Sequence, residues 1–360
     1  MPLTETSGRE NHQMIDCGLI GFGLGGRAFH APFLASVPGL RLGAVLQRTG
    51  DDAAKIYPGT KIVRTLEELL AIPEIRLIAI STPNQTHAPL AKACLEAGKD
   101  VVLDKPFTTT VAEARELIAL AKKTGRLLAV YQERRLDGDF RTVQKLAASG
   151  ELGRILKFEE TFDRCRPAIR ESWKERPGPG TGVFFDLGPH LIDHALTLLG
   201  TPEAIWADVR AERENSTNDD AFDLTFYYPN GLRADLSSGT LIPIPRPHFR
   251  VLGTQGMYVH QSLDPQEALL RAGHPANGED WGVEKEEEWG TLAEFDAANV
   301  TFRKVPTLRG DYRDFYANVR DVILGKAKPI VTLEQALSVM YALELSVESS
   351  AKRTVLPWKL

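Results

Sequence analysis

Three groups of residues in this chain have the types and spacing to do chemistry together. The segment Gly21-Phe22-Gly23-Leu24-Gly25-Gly26 has glycines at Gly21, Gly23 and Gly26, the G-x-G-x-x-G spacing. The first glycine of such a run permits a tight turn. The second lets backbone approach a pyrophosphate, and the third lets a helix pack closely on a strand. Amides at the start of the following helix then face phosphate oxygens with a partial positive charge. The segment Leu46-Gln47-Arg48-Thr49 stands where a dinucleotide's ribose would be selected, and no carboxylate appears until Asp51. Arg48 can grip a 2′-phosphate through two charge-assisted bonds, so NADP(H) is expected ahead of NAD(H). The alternative is a solvated Arg48, with Asp51 or Asp52 folding back to hold NAD(H). The third group is Lys105, Asp186 and His190. An imidazole of ordinary pKa can take a hydroxyl proton near neutrality while hydride leaves the same carbon. An ammonium at the carboxyl end of a strand can favour the developing alkoxide. Asp186 lies four residues before His190. If both are helical they share a face, and Pro189 is then expected in the first turn, where no N–H is needed. Asp186 would orient a substrate or tune the base. Taken singly, each has a plainer reading: a surface lysine, a satisfied helix histidine, an N-cap.

These residues need elements to position them. Short apolar runs at 15–20, 40–46, 77–80, 101–103 and 127–130 alternate with helical patterns at 29–35, 65–70, 89–97 and 111–123. This alternation predicts an α/β domain over 14–132, a doubly wound parallel sheet with helices on both faces. Beyond Tyr131 the rhythm changes. A helix is expected over 141–148, a strand over 155–164 and an apolar helix ending at Gly200. Strands follow over 205–212, 221–228, 232–240 and 249–252, and Tyr228-Pro229-Asn230-Gly231 is the turn between two of them. This predicts an α+β domain over 133–355 with a largely antiparallel open sheet. Helices over 311–324 and 332–352 close the chain, and the second is expected to pack back on the first domain. The segment 273–290 reads as a polar surface loop, and residues 1–13 as a frayed tail without the apolar core of a signal peptide.

Composition excludes several classes. The chain has 360 residues, and 43 basic against 48 acidic side chains give a net charge of −5. That balance draws the protein to neither nucleic acid nor an anionic membrane. No apolar stretch nears the roughly 20 residues a membrane span needs, so the cytoplasm is the default location. Cys17, Cys94 and Cys165 form neither a disulfide framework nor a metal-ligand pattern, and free thiols suit a reducing compartment.

Three further segments strengthen the pattern: Ser81–His87 (STPNQTH), Ala97–Pro106 (AGKDVVLDKP) and Asp186–Asp193 (DLGPHLID). With the glycine turn, in this order and spacing over 14–355, the chain resembles the Gfo/Idh/MocA family of glucose–fructose oxidoreductases and inositol dehydrogenases. It is most similar to the branch containing NADP-dependent scyllo-inositol dehydrogenase, through Tyr131–Phe140, the Arg164–Pro167 segment with Trp173, and the loop 281–290. The resemblance implies a Rossmann domain and hydride transfer between a nicotinamide and a secondary alcohol of a polyol or sugar. It implies Lys105, Asp186 and His190 as the catalytic set. It places Thr82, Pro83, Asn84, His87 and Asp104 at the cofactor beside Gly21–Gly26 and Gln47–Thr49, with His87 bracing that loop. Arg134, Arg164, Arg166 and Trp173 would wall the substrate, Arg135 and Asp193 would face the cleft, and His194 would be structural. A homodimer or homotetramer through the C-terminal sheet follows from the same resemblance. Three departures stand out: Asp104 where the family usually has Glu, Glu133 where the branch often has Asn, and Leu136 where it often has Trp. An NAD-dependent sugar or diol dehydrogenase and a non-catalytic dinucleotide sensor are the alternatives. The presence of Lys105, Asp186 and His190 together speaks against the sensor.

Overall fold

The first strand, β1 (Ile15–Ile20), is buried along almost its whole length and breaks off at Gly21, whose φ of +94° suits glycine. The structure, a computed structural model, describes residues 14–360, and the expected tail over 1–13 lies outside the described residues. A wide π-helical turn over Gly26–His30 runs into α1 (Ala31–Ser36), so helical backbone begins closer to the glycines than Phe29, where the apolar spacing puts it. Then come β2 (Leu40–Leu46), α2 (Asp52–Ile56), β3 (Lys61–Val63), α3 (Leu66–Leu70), β4 (Ile75–Ile80), α4 (His87–Glu96), β5 (Asp100–Asp104), α5 (Val111–Thr124) and β6 (Leu128–Tyr131). All adjacent pairs are parallel, in the order β3-β2-β1-β4-β5-β6. Three residues of β3 and five of α2 are too few to show a period, which is why the sequence pattern lacks them. The chain reverses direction across the sheet between β1 and β4, and a crevice therefore opens at their carboxyl ends. Thr110 starts α5 with a reciprocal cap to Glu113.

The second unit starts with α6 (Gly138–Ser149) and β7 (Ile155–Thr161). The long α7 (Gly182–Leu199) follows, then β8 (Ala204–Arg210), β9 (Ala221–Tyr227), β10 (Arg233–Gly239), β11 (Phe249–Gly253) and β12 (Gly256–His260). Next are α8 (Pro265–Arg271), β13 (Thr291–Phe295), β14 (Val300–Lys304), α9 (Arg313–Ile323), α10 (Leu333–Lys352) and the short β15 (Leu356–Pro357). The nine strands order as β14-β13-β12-β11-β7-β10-β9-β8-β15, antiparallel apart from the β7–β10 pair. The 229–231 turn joins β9 to β10 as expected. β14 is exposed at every residue, and β12 opens on a glycine, buries alternate residues and is only five residues long. Helix α7 lies on β9 and β10, and α10 packs against α7, β8, α5 and β6. One buried cluster therefore runs from Ile78 and Val101 through Phe184 and Leu343 to Phe226. On the opposite face of the first sheet, Tyr312, Phe315 and Tyr316 of the α9 region stack with Phe33 and Tyr131.

Two expectations are corrected here. Pro189 is the eighth residue of α7, well inside the helix rather than in its first turn, and Thr181 is the N-cap. The segment 273–290 is only partly a surface loop. Trp281 and Glu284 are buried in it, with Trp281 Nε1 donating to Gln266 at 3.1 Å and Glu284 3.0 Å from His260.

Candidate active site

The crevice at the carboxyl ends of β1 and β4 opens into a cavity of about 1350 Å³ whose far wall is built by the second unit. Its near wall begins at the glycine turn. A Cβ at Gly21 would meet the Ser81 carbonyl at 2.3 Å, and one at Gly26 would meet the Gly21 carbonyl at 2.0 Å. These two glycines let the turn close on itself. Gly23 differs: nothing lies within 4 Å of its Cβ position, and it borders the cavity. A backbone bare at that point leaves room for a phosphate group to approach, and the Gly21–Gly25 rim, including Phe22, fits a dinucleotide on that ground. Gly26 itself does not reach the cavity.

Gln47, Arg48 and Thr49 form the next stretch of rim. Gln47 is spent on structure: its Oε1 accepts the Ala53 amide at 3.2 Å and its Nε2 donates to Asp52 at 3.3 Å. Asp51 is held by Arg64 at 2.6 Å, and Lys55 lies 3.4 Å from Asp52. Arg48 is exposed and has no ion-pair partner among the described residues. Thr82, Pro83 and Asn84, after β4, line the cavity too. His87 does not. It is buried, with Nδ1 2.9 Å from the Pro106 carbonyl and Nε2 3.0 Å from the Thr82 carbonyl, so it clasps the loop from behind. Asn84 donates to the Gly180 carbonyl at 2.5 Å and ties this loop to the segment before α7.

Asp104 ends β5 at the back of the crevice. It accepts from Ser81 Oγ at 3.0 Å and from the Lys105 amide at 2.8 Å, and His30 Nε2 lies 3.4 Å away. Burial pushes its pKa up, but His30 and the Lys105 charge outweigh that and hold the carboxyl well below its usual range. The short acid is thus committed to Ser81 and His30. His30 is positioned in turn by the Tyr316 hydroxyl at 2.6 Å from Nδ1.

Lys105, Asp186 and His190 come together on the cavity floor. Lys105 Nζ donates to the Asp186 carbonyl at 2.7 Å and lies 3.5 Å from the Asp186 carboxylate. Pro189 cannot donate to the Phe185 carbonyl, and a helix opens at such a point. The lysine docks on the neighbouring carbonyl. The Asp186 carboxylate also accepts from Lys174 at 2.5 Å and from Arg164 at 3.2 Å. Burial opposes ionisation here, yet Lys174, Lys105 and Arg164 hold the carboxyl well below its ordinary pKa. Burial also lowers the Lys105 pKa, and Asp186 resists it. His190 is 3% exposed, and burial with the charges of Lys105 and Arg134 drives its pKa well below 6.5. It is held neutral, and this corrects the expectation of a histidine titrating near neutrality.

The second unit's wall comprises Arg134, Arg164, Arg166, Trp173 and Lys174. Arg134 and Arg164 both lie 4.9 Å from the centroid of the Phe162 ring, and Arg134 is paired to Asp137 at 3.1 Å and to Glu267. Arg135 and Asp193, expected at the cleft, are absent from its wall. They bind each other through two 2.6 Å bonds beneath α10. The Arg135 guanidinium points away because each successive residue of a tight turn faces a new direction. His194 packs at 3.8 Å on Phe140 and bonds Glu160 at 2.9 Å, away from the cavity. Sequence reasoning missed Ser81, His30 and Lys174 as parts of the site and read Glu133 only as a departure from a relative. Their signal was weak: a lone histidine in an apolar helix reads as core, and Lys174 shows itself only by following Trp173. Among the described residues no cluster of His, Cys, Asp or Glu could hold a metal ion.

Known proteins share this fold. Residues 15–132 match the oxidoreductase family with an NAD-binding Rossmann fold, and residues 140–259 match the GFO/IDH/MocA C-terminal domain. The chain is 41% identical over 344 residues to the uncharacterized oxidoreductase YdgJ of Escherichia coli, covering 95% of this chain and 98% of that protein. It is 34% identical over 355 residues to scyllo-inositol 2-dehydrogenase (NADP(+)) IolW of Bacillus subtilis, covering 98% and 99%. The solved structure of yvaA from Bacillus subtilis superposes with a TM-score of 0.94 at 33% identity, over 98% of this chain and 100% of that one.

Proposed function

This chain belongs to the Gfo/Idh/MocA oxidoreductase family, and from that premise we propose that it is an NADP(H)-dependent dehydrogenase acting on a secondary alcohol of a polyol or sugar of inositol type. The observation that carries the reading is one cavity bordered by the glycine turn and Arg48 on one side and by Lys105, Asp186 and His190 on the other. A nicotinamide dinucleotide supplies the hydride acceptor or donor when bound. The protein's part is placement and proton handling. Lys105, fixed by the Asp186 carbonyl, offers its remaining N–H groups to the alcohol oxygen, and burial makes it a readier donor to a developing alkoxide. Asp186 fixes Lys105, Lys174 and Arg164 into one wall. His190, neutral, is free to accept the hydroxyl proton. NADP(H) is favoured because Arg48 has no ion-pair partner among the described residues while Asp51 is paired with Arg64 and Asp52 lies near Gln47 and Lys55. The NADP(+) in the name of the Bacillus relative supports the same choice.

Initial rates with inositols and sugars, measured with each cofactor, test this. Higher kcat/KM with NADP+ on a cyclic polyol is expected. Higher kcat/KM with NAD+ contradicts the cofactor assignment, and cofactor binding without turnover across the panel favours the sensor. Assembly through the uncovered face of the second sheet, into a homodimer or homotetramer, belongs to the same proposal. So does a reducing cytoplasm, which suits three free cysteines and a chain in which no described helix is long and apolar enough to cross a membrane.

A further inference from the structure

Glu133 sits in the tight turn Glu133–Leu136 that joins β6 to α6, at the inner end of the cavity. Nine-tenths of the residue is buried: its relative exposure is 6%. Its Oε2 has no hydrogen-bond partner among the described residues, and its Oε1 lies 4.0 Å from His190 Nε2. His190 Nδ1 is likewise buried without a partner. Unpartnered buried polar atoms are uncommon, because each forfeits its hydration with nothing in return. The two groups line one cavity, each with hydrogen-bonding capacity unspent, and their nearest atoms are Oε1 and Nε2. Separations of this size shorten when a site fills, so 4.0 Å is within reach of a working contact.

We propose that Glu133 is the final holder of the proton that His190 takes from the substrate hydroxyl. The inference rests on the alcohol-oxidising reading of the cavity. In the oxidising direction the carbinol C–H bond breaks and its electron pair leaves with the hydride to the oxidised nicotinamide dinucleotide. The O–H bond breaks, its electrons form the carbonyl π bond, and the proton passes to His190 Nε2. From there it passes to a Glu133 carboxylate oxygen, leaving a neutral imidazole, a neutral carboxylic acid, a ketone and a reduced cofactor. The direction follows from the surroundings. Burial and the charges of Lys105 and Arg134 disfavour an imidazolium at His190, so a proton does not rest there. Burial raises the Glu133 pKa to about 7 against the pull of Arg134 and Lys105. The groups facing Glu133 come from every neighbouring element: Asp104 and Lys105 at the end of β5, Tyr131 of β6, Arg134 and Asp137 of its own turn, His190 of α7, and Tyr312 and Tyr316 at α9. Among them His190 is the group whose ring nitrogen approaches the carboxylate, with Nε2 4.0 Å from Oε1.

The test is Glu133→Gln, which keeps shape and removes the proton site, together with Glu133→Asp. In wild type, oxidation should gain rate as pH rises through about 7, as Glu133 ionises. Glu133→Gln should lose that limb and about 10- to 100-fold in kcat, with NADPH affinity by fluorescence unchanged. Glu133→Asp should restore part of the limb. Independently of turnover, NMR of the His190 imidazole should show an inflection near pH 7 in wild type that is absent in Glu133→Gln. A flat His190 response in wild type, or an unaltered pH profile in Glu133→Gln, overturns the proposal. If Glu133→Gln fails to fold, the wild-type titration decides alone. A protein that shows the inflection but oxidises no alcohol keeps the pair and defeats the alcohol reading instead.

Discussion

Lys105 is held by a single residue through two different atoms, the Asp186 carbonyl and the Asp186 carboxylate, so the ammonium cannot drift without breaking both. The identities of Lys105, Asp186 and His190 were legible in the sequence, because their segments occur in a fixed order. Their electrostatic states were not. The neutrality of His190 depends on Lys105 and Arg134, which are 85 and 56 positions away in the chain, and no local pattern encodes such a field. The same holds for Arg48. Its type and place suggested a phosphate contact, but only the structure shows Asp51 paired with Arg64 at 2.6 Å, while Asp52, the other carboxylate of the alternative, borders the cavity beside Gln47. Arg48→Ala is therefore expected to raise KM for NADP+ about tenfold or more, the worth of a charge-assisted contact, and to leave KM for NAD+ nearly unchanged. Steady-state kinetics with both cofactors check this, and equal losses with both would assign Arg48 a structural role.

At the scale of elements, the glycine turn separates two functions that the motif alone merges. A Cβ at Gly26 collides with the Gly21 carbonyl, whereas a Cβ at Gly23 meets no protein atom. Gly26→Ala is expected to lower both Tm and cofactor affinity. Gly23→Ala should leave Tm within a degree or two of wild type and weaken NADPH binding about tenfold or more, because the added methyl occupies space kept for phosphate. Thermal melts beside fluorescence titrations distinguish the two, and a Gly23→Ala protein that binds normally contradicts the assigned cradle. The parallel strands were easy to read because burial on both faces makes each a continuous apolar run. The short β3 and α2 lacked any such run, and β14 is exposed at every residue. Pro189 was misplaced for a different reason: local rules put proline at a helix start, whereas α7 carries it as its eighth residue.

Over the whole molecule, α10 fastens the two sheets into one body. It packs on β8 and α7 of the second unit and on α5 and β6 of the first, and Glu344 accepts the Val111 amide at 2.6 Å. The cavity walls come from both units, so their relative position fixes the distance from the glycine rim to His190. Glu344→Ala should cost about 1.5–3 kcal/mol in urea unfolding, the range for a hydrogen bond to a charged group, with kcat little changed. A loss of activity without a loss of stability would contradict the fastening role. That α10 reaches back was expected from its place at the chain's end. That α9 also packs against the first sheet, through Tyr316 to His30, was not, since aromatic pairing over 286 positions leaves no trace in local spacing. Assembly belongs to this scale as well. Light scattering of the purified protein is expected to give the mass of two or four chains, and a single-chain mass would remove the second sheet as an interface.

The most direct test of the central claim follows the near-ultraviolet absorbance of reduced nicotinamide while wild type, Lys105→Ala and His190→Ala oxidise a cyclic polyol with NADP+. The expected result is turnover by wild type and a fall of roughly 100-fold or more in kcat/KM for each variant, with NADPH affinity of His190→Ala unchanged. Undiminished turnover in either variant would contradict the placement of the reacting carbon between that lysine and that histidine.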